Sequence, residues 1–435
     1  MQPVRTQLQR STAFRALRHR NYKLWFFGQG FSLIGTWMQS MAQQVLVYRL
    51  TGSASALGIA SLMTVLPLVP LALWGGSLSD RVSKRNLLLV TQTLMLLQAI
   101  LLAAITWLGI VEIWHVYVMA FLLGAFKAVD TPARQSFVVE MVEGRSDLAS
   151  AIGLNSAIQN GAKTLGPALA GVLVALTGEA TAFLINSLSF LAVILSLLMM
   201  RDLPKAAGEQ KKTTALMHMA EGVRFVLGQQ TLLILMSLVA VSSFLAKPYQ
   251  ILMPVFAAVN LRESAQPMIS FLCNGDHIWL NCQAPEAIPL GLLMAAMGSG
   301  AVIGGVLVAS LSENAHRGWV LTLGNLSFPL FLLMFVNSNS MTFSLILMSL
   351  TGLTRVMQNA MANTLLQTVA PDAMRGRVMS LYSLVSHGTT QLGGLQAGFV
   401  ADGFGARIAV GFGAALSLLY GICIAVRFPK VRNLV

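Results

Sequence analysis

The sequence predicts an all-α polytopic membrane protein with twelve transmembrane helices in two pseudo-symmetric six-helix halves. Three observations carry that prediction. Of 435 residues, 55% are hydrophobic and 10% charged, with a mean hydropathy of +0.70. A soluble globule of this length cannot hide so much apolar surface. Apolar runs of about 20 residues, enough to cross a hydrocarbon core as a helix, recur from end to end. The charges gather in the turns between them.

The runs place spans at 22–48, 55–79, 86–109, 113–137, 148–177 and 179–200. They resume at 231–259, 287–311, 318–336, 341–366, 374–401 and 405–427. The chain therefore divides into a basic N-terminus (1–21), a first half (22–200), a linker (201–230), a second half (231–427) and a short C-terminus (428–435). Arg5, Arg10, Arg15, Arg18 and Arg20 precede a first run too long for a signal-peptide core, so this end reads as retained. Of the 29 Lys/Arg, 22 fall on one side of the predicted membrane, three (Arg49, Arg262, Arg407) on the other and four deep inside spans. That bias puts both termini in the cytoplasm. The formal charge of +13 is thus a topology signal rather than a nucleic-acid surface.

The linker is the most charged stretch, with Arg201, Asp202, Lys205, Glu209, Lys211 and Lys212. Its later part, "ALMHMAEGVRFVLG", has the composition of an interfacial amphipathic helix. The halves echo each other. "SLSDRVSKRNLLL" at 77–89 returns in degraded form as "SLSENAHRGWVLT" at 310–322. Gly161, Gly166 and Gly171 pair with Gly388, Gly393 and Gly398 at an offset of 227, and Lys127 pairs with Arg355 within one residue of it. Several segments agreeing in register imply duplication.

The turn after span 2 is the most specific motif. Gly76-x-x-x-Asp80-Arg81-x-x-Lys84-Arg85 resembles the loop 2–3 signature of the major facilitator superfamily, with Ser83 where that family usually has glycine. The resemblance implies a cytoplasmic gate: an aspartate near a helix N-terminus of the opposite half, flanked by bases at headgroup level. A plain topology signal is the alternative. Span 5 adds Gly153-x8-Ala162-x3-Gly166-Pro167-x2-Ala170-Gly171, similar to the motif of the superfamily's antiporters and exporters. It assigns Gly166 and Pro167 to gating, against ordinary small-residue packing. "DTPARQSFVVEMV" (130–142) further resembles the branch of enterobactin exporters and macrolide-efflux-like proteins.

Polarity inside the spans points to a cavity. Lys127, Lys163, Lys247 and Arg355 lie in spans 4, 5, 7 and 10, and intramembrane charge belongs against water or a partner. In the resembled fold spans 1, 4, 7 and 10 line the central cavity. Span 1 carries Gln29, Ser32, Thr36, Gln39 and Gln43 at steps of three and four, one helix face. Lys127, Asp130 and Arg134 share a face of span 4, Asn155, Gln159 and Lys163 one of span 5, and Thr351, Arg355 and Gln358 one of span 10. These stripes bind substrate or glue helices together. Asp130 reads either as a counter-ion for its neighbouring bases or as the protonation site of a proton-coupled cycle.

The connection between spans 7 and 8 is longer than the resemblance implies. It carries Cys273 and Cys282 on the predicted outer side, with an Asn-Gly turn between them. A disulfide there would stabilise the loop by roughly 2–3 kcal/mol; two free thiols are the alternative. Cys423, inside an apolar run, reads as inert packing. With no Walker loop, metal-ligand cluster or nucleophile–base pair, neither an enzyme nor a bound cofactor is expected.

The expectation is a secondary exporter in a bacterial inner membrane, monomeric, moving a small organic molecule by alternating access and proton antiport. Surplus cavity base favours an anionic, siderophore- or antibiotic-like cargo. A multidrug pump for lipophilic compounds and a lipid flippase are the alternatives. A non-transporting scaffold has no use for matched polar stripes.

Overall fold

The computed structural model describes residues 12–68, 70–71, 82–142, 144–201, 215–273, 282–311, 316–432 and 434. Gly76, Asp80 and Arg81 lie outside the described residues. The spans run Arg20–Thr51, Ala54–Val65 (the described helix of span 2), Lys84–Trp107, Ile113–Glu140, Arg145–Thr177 and Glu179–Leu198 in the first half. The second half has Gln230–Asn260, Ala287–Ala309, Arg317–Asn337, Met341–Val369, Asp372–Phe404 and Ala406–Arg427. Ala215–Gly228 forms the helix read from the linker. Its Glu221 pairs with Arg377 at the start of span 11, 2.9 Å apart.

Among the described residues seven helices are long and apolar enough to cross a membrane: spans 3, 4, 6, 7, 8, 9 and 12. Spans 1, 5, 10 and 11 are as long, but their many polar and small residues lower their hydropathy. Leu188, Leu195, Phe399, Phe412 and Leu419 are exposed apolar side chains that suit lipid. Cys423 is exposed on span 12 rather than packed inside. An apolar run alone does not distinguish the lipid-facing side of a helix from its packed side.

The pseudo-symmetry reaches individual contacts. Gly178 (φ 80°) and Gly405 (φ 90°), 227 residues apart, make the same one-residue turn into spans 6 and 12. Left-handed backbone of this kind favours glycine. Gly166 of span 5 meets the carbonyl of Ile34 on span 1, and Gly393 of span 11 meets that of Phe244 on span 7. Gly171 meets Gly291 on span 8, and Gly398 meets Ala54 and Ser55 on span 2. Nothing among the described residues lies within 4 Å of a Cβ placed on Gly161 or Gly388. Each matched glycine thus has a matched environment.

The halves touch along two seams, span 5 on span 8 and span 2 on span 11. A Cβ on Gly171 would come 2.8 Å from the Gly291 Cα, and one on Gly58 would come 2.8 Å from the Gly394 carbonyl oxygen. Backbone meets backbone there. These contacts lie toward the bundle end that carries the Cys273–Cys282 bond, called here the disulfide end. Toward the other end, which carries both termini, Gly153, Gly161, Gly305, Gly376 and Gly388 have no described neighbour at that range. The seams part toward the termini.

Candidate functional site: a cationic cavity between the halves

Span 7 is broken where it carries its base. Five-residue wide turns at Ser242–Ala246 and Phe256–Asn260 flank a tight turn at Lys247–Gln250, with Pro248 and Pro254 withholding amide donors. The break holds Lys247, only 7% exposed, so that its Nζ donates to Ser243 Oγ at 2.8 Å and Ser386 Oγ at 3.2 Å. Lys247 bears electrostatically on Arg355, Arg355 on Lys163, and both lysines on His387. Lys163 also sits over the Trp37 ring, 5.8 Å from its centroid. The Arg355 Nε has no described hydrogen-bond partner. Spans 5, 7, 10 and 11 thereby bring three bases and a histidine together across the two halves.

Lys127 is set apart. The charges acting on it are those of Arg134 and Asp130. It lines a cavity of about 210 Å³ with Thr36, Gln39, Gln43 and Gln44 of span 1 and Ser61 and Thr64 of span 2. Ile251 and Gln391 from the second half close that cavity, and no described acid lines it. Gln159 is exposed on the same helix as Lys163. Gln29 is 2% exposed, with no partner among the described residues for either amide atom, and does not line this cavity.

Two expected site residues are held within their own half. Asp130 is fully buried and accepts from Thr91 Oγ1 at 2.9 Å and Gln92 Nε2 at 2.8 Å, while Arg134 pairs with its other oxygen. Gln358 donates to Asn325 Oδ1 at 2.5 Å and accepts from Ser242 Oγ at 3.2 Å. Gln39 does both jobs: it lines the cavity, and its amide joins Gln98 at 3.4 Å and Asn186 at 2.5 Å.

Of the expected gating residues, Lys84 pairs with Glu140, and Arg85 donates to the carbonyls of Leu197 and Leu198 at 2.8 and 3.0 Å. Both tie the first half to itself in this conformation. Gly166 and Pro167 are buried on the inward side of span 5, with the Pro167 carbonyl facing Gly291. Cys273 and Cys282 are joined by a disulfide, their Cα atoms 5.5 Å apart.

His387, Gln391, Ser243 and Ser386 are site residues that the sequence reading missed. The 227-residue offset puts Asn160 at the position matching His387, one residue after the stripe member Gln159. That register was the signal available for span 11.

Twelve spanning segments in two matched halves, with polar and basic side chains between them, are the architecture of the major facilitator superfamily. The transmembrane secretion effector family matches residues 11–272 and 280–434, and the chain belongs to it. The interruption falls in the disulfide loop. The staphyloferrin A transporter of Staphylococcus aureus is 30% identical over 176 residues, which is 40% of this chain and 44% of that protein, so this match spans less than half of each. The multidrug efflux pump Tap of Mycolicibacterium fortuitum is 24% identical over 401 residues, covering 89% and 91%. The enterobactin exporter EntS of Shigella flexneri is 22% identical over 384 residues, covering 87% and 86%. The solved nucleoside transporter NupG superposes with a TM-score of 0.71 at 12% identity, covering 95% of this chain and 99% of that one.

Proposed function

We propose that this chain is a monomeric exporter in a bacterial inner membrane, with both termini cytoplasmic. It moves a small anionic organic molecule outward by alternating access, in exchange for protons. The observation that carries the substrate class is the inter-half cluster of Lys163, Lys247 and Arg355, with Lys127 lining the neighbouring cavity. Cations placed inside the spans with few acids about them favour an anion that arrives with its own charge. Two relatives are named for staphyloferrin A and enterobactin, which supports a siderophore-like cargo. The near full-length similarity to a pump named for multidrug efflux supports the rival reading, a broad lipophilic range. At about 210 Å³ the cavity is smaller than typical ligand clefts of roughly 300–1,000 Å³, so a larger cargo requires the halves to move.

The partners of Asp130 favour the counter-ion role over proton carriage, since its carboxylate is enclosed and already bonded. Export into inverted vesicles tests the substrate class, using Arg355→Gln and Lys127→Gln with an acidic siderophore and its neutral ester. Affinity for the acid is expected to fall at least tenfold, with the ester little changed. Equal losses for both compounds overturn the anionic reading. Uptake that ignores an imposed pH step overturns proton exchange.

A further inference from the structure

At the disulfide end a carboxylate on one half bonds to the start of a helix on the other. Asp402 stands at the end of span 11, just past its predicted membrane boundary, and reaches the start of span 2 in the other half. Its Oδ1 accepts from the Ala54 amide at 2.6 Å. Its Oδ2 accepts from the Ser55 amide at 3.0 Å and from the Ser53 hydroxyl at 2.7 Å. A helix leaves its first amides without internal partners, and its positive end favours an anion. Ser53 also caps its own helix by accepting from the Ala56 amide at 3.3 Å. Burial works against the Asp402 charge, but the bonds from Ser55, Ser53 and the two amides outweigh it. They hold the carboxyl below its ordinary range.

Two further observations make this a feature of the mouth rather than a local cap. The other hydrogen bonds between described residues of the two halves lie on the same side of the bundle. They join Ser61 to Gln391, and the amides of Gln283 and Ala284 to the Ala175 carbonyl, the Gln283 bond measuring 2.8 Å. The ion pairs that Arg49, Lys84, Arg134 and Arg375 make with Glu179, Glu140, Asp130 and Asp372 each stay within one half. Beneath Asp402 the backbones touch at Gly398 with Ala54 and at Gly394 with Gly58. When the mouth opens, those contacts separate and the Ala54 and Ser55 amides lose their acceptor.

We propose that Asp402 is the latch of this mouth: a positioning residue that favours the conformation closed at the disulfide end, and whose release is a step of the transport cycle. The inference rests on the alternating-access reading above. It depends on neither the cargo nor which end faces the cytoplasm.

Double electron–electron resonance measures the latch directly on the full chain, in a Cys423→Ser background that keeps the disulfide. One spin pair, at Leu108 and Phe404, spans the disulfide end; both positions are exposed on opposite halves. A second pair, at Val139 and Leu311, spans the end that carries the termini. Asp402→Asn keeps the shape but removes the charge, and is expected to raise the long-distance population of the first pair at least threefold. Asp402→Glu, which restores a carboxylate, brings that population back toward wild type. Ser53→Ala removes one donor and shifts it in the same direction by a smaller factor, which decides the matter should Asp402→Asn fold poorly. Unchanged distances in both Asp402→Asn and Ser53→Ala, while the pairs still respond to other conditions, overturn the latch alone. Pairs that hold one distance in every variant and condition overturn alternating access as well.

Discussion

Span 3 is strapped to span 4, and span 9 to span 10, at corresponding positions with different chemistry. In the first half Gln92 and Thr91 donate to Asp130, which also pairs with Arg134. In the second, Gln358 donates to Asn325. Asp130 and Gln358 are separated by 228 residues, the spacing of Lys127 and Arg355. Gln92 and Asn325 are separated by 233, the spacing of the echoed turns at 77–89 and 310–322. Where Arg134 stands in the first half, that 228 spacing leads to Ala362, which is 1% exposed. The tie kept its place while its charge diverged. A neutral amide pair suffices to hold two spans together, so the strap itself does not explain the carboxylate at 130. Its partner Arg134 does.

The largest expected effect comes from breaking the charged strap. Asp130→Asn strands the Arg134 guanidinium in a mostly buried setting and is expected to cost about 3 kcal/mol or more. A lower midpoint of thermal unfolding in detergent measures it. The folded fraction is expected to remain driven by an imposed pH step, and loss of that drive would return Asp130 to the role of proton carrier. A smaller effect follows when the first half is made to resemble the second. Asp130→Asn with Arg134→Gln leaves neutral partners and should recover most of the stability lost by the single substitution, ending within about 1 kcal/mol of wild type. Failure to recover would mean that the charges do more than balance each other. The smallest effect belongs to the neutral strap. Gln358→Leu removes two hydrogen bonds between helices, to Asn325 and from Ser242, each typically worth about 0.6 kcal/mol, and should move the melting midpoint by no more than a few degrees.

Much of this organisation is legible in the chain because membrane spanning leaves coarse marks. The predicted 86–109, 287–311 and 405–427 fall within two residues of Lys84–Trp107, Ala287–Ala309 and Ala406–Arg427. The glycine trio at 161, 166 and 171 has the matched surroundings that its 227-residue echo implied. Charge in spans 5, 7 and 10 pointed to Lys163, Lys247 and Arg355, because an isolated intramembrane base needs a reason to be there. Uncharged groups gave no such signal. Gln39 and Gln43 belong to one stripe, yet Gln39 is bonded to Asn186 of span 6 while Gln43 lines the cavity with no hydrogen bond to a described residue. Helical period shows which face a residue occupies, not which neighbour will claim it. Asp402 was illegible for a different reason. It sits in an end turn, where an acid reads as ordinary solvated charge, and its partners lie 347–349 positions earlier.

The backbone contacts of Gly58 with Gly394 and of Gly171 with Gly291 have a mechanical corollary. Interfaces built from large side chains interlock, and turning one surface against the other means lifting each knob from its hole. Surfaces of bare backbone have few knobs, so they can roll or slide with little resistance over a range of angles. They act as bearings, and a bearing has no preferred stopping angle. The stops must come from elsewhere, and in this chain they fall to a few polar groups at the rim. A substitution within the bearing would add friction in both directions of travel, whereas one at the rim would remove a detent and bias the machine toward one end of its stroke.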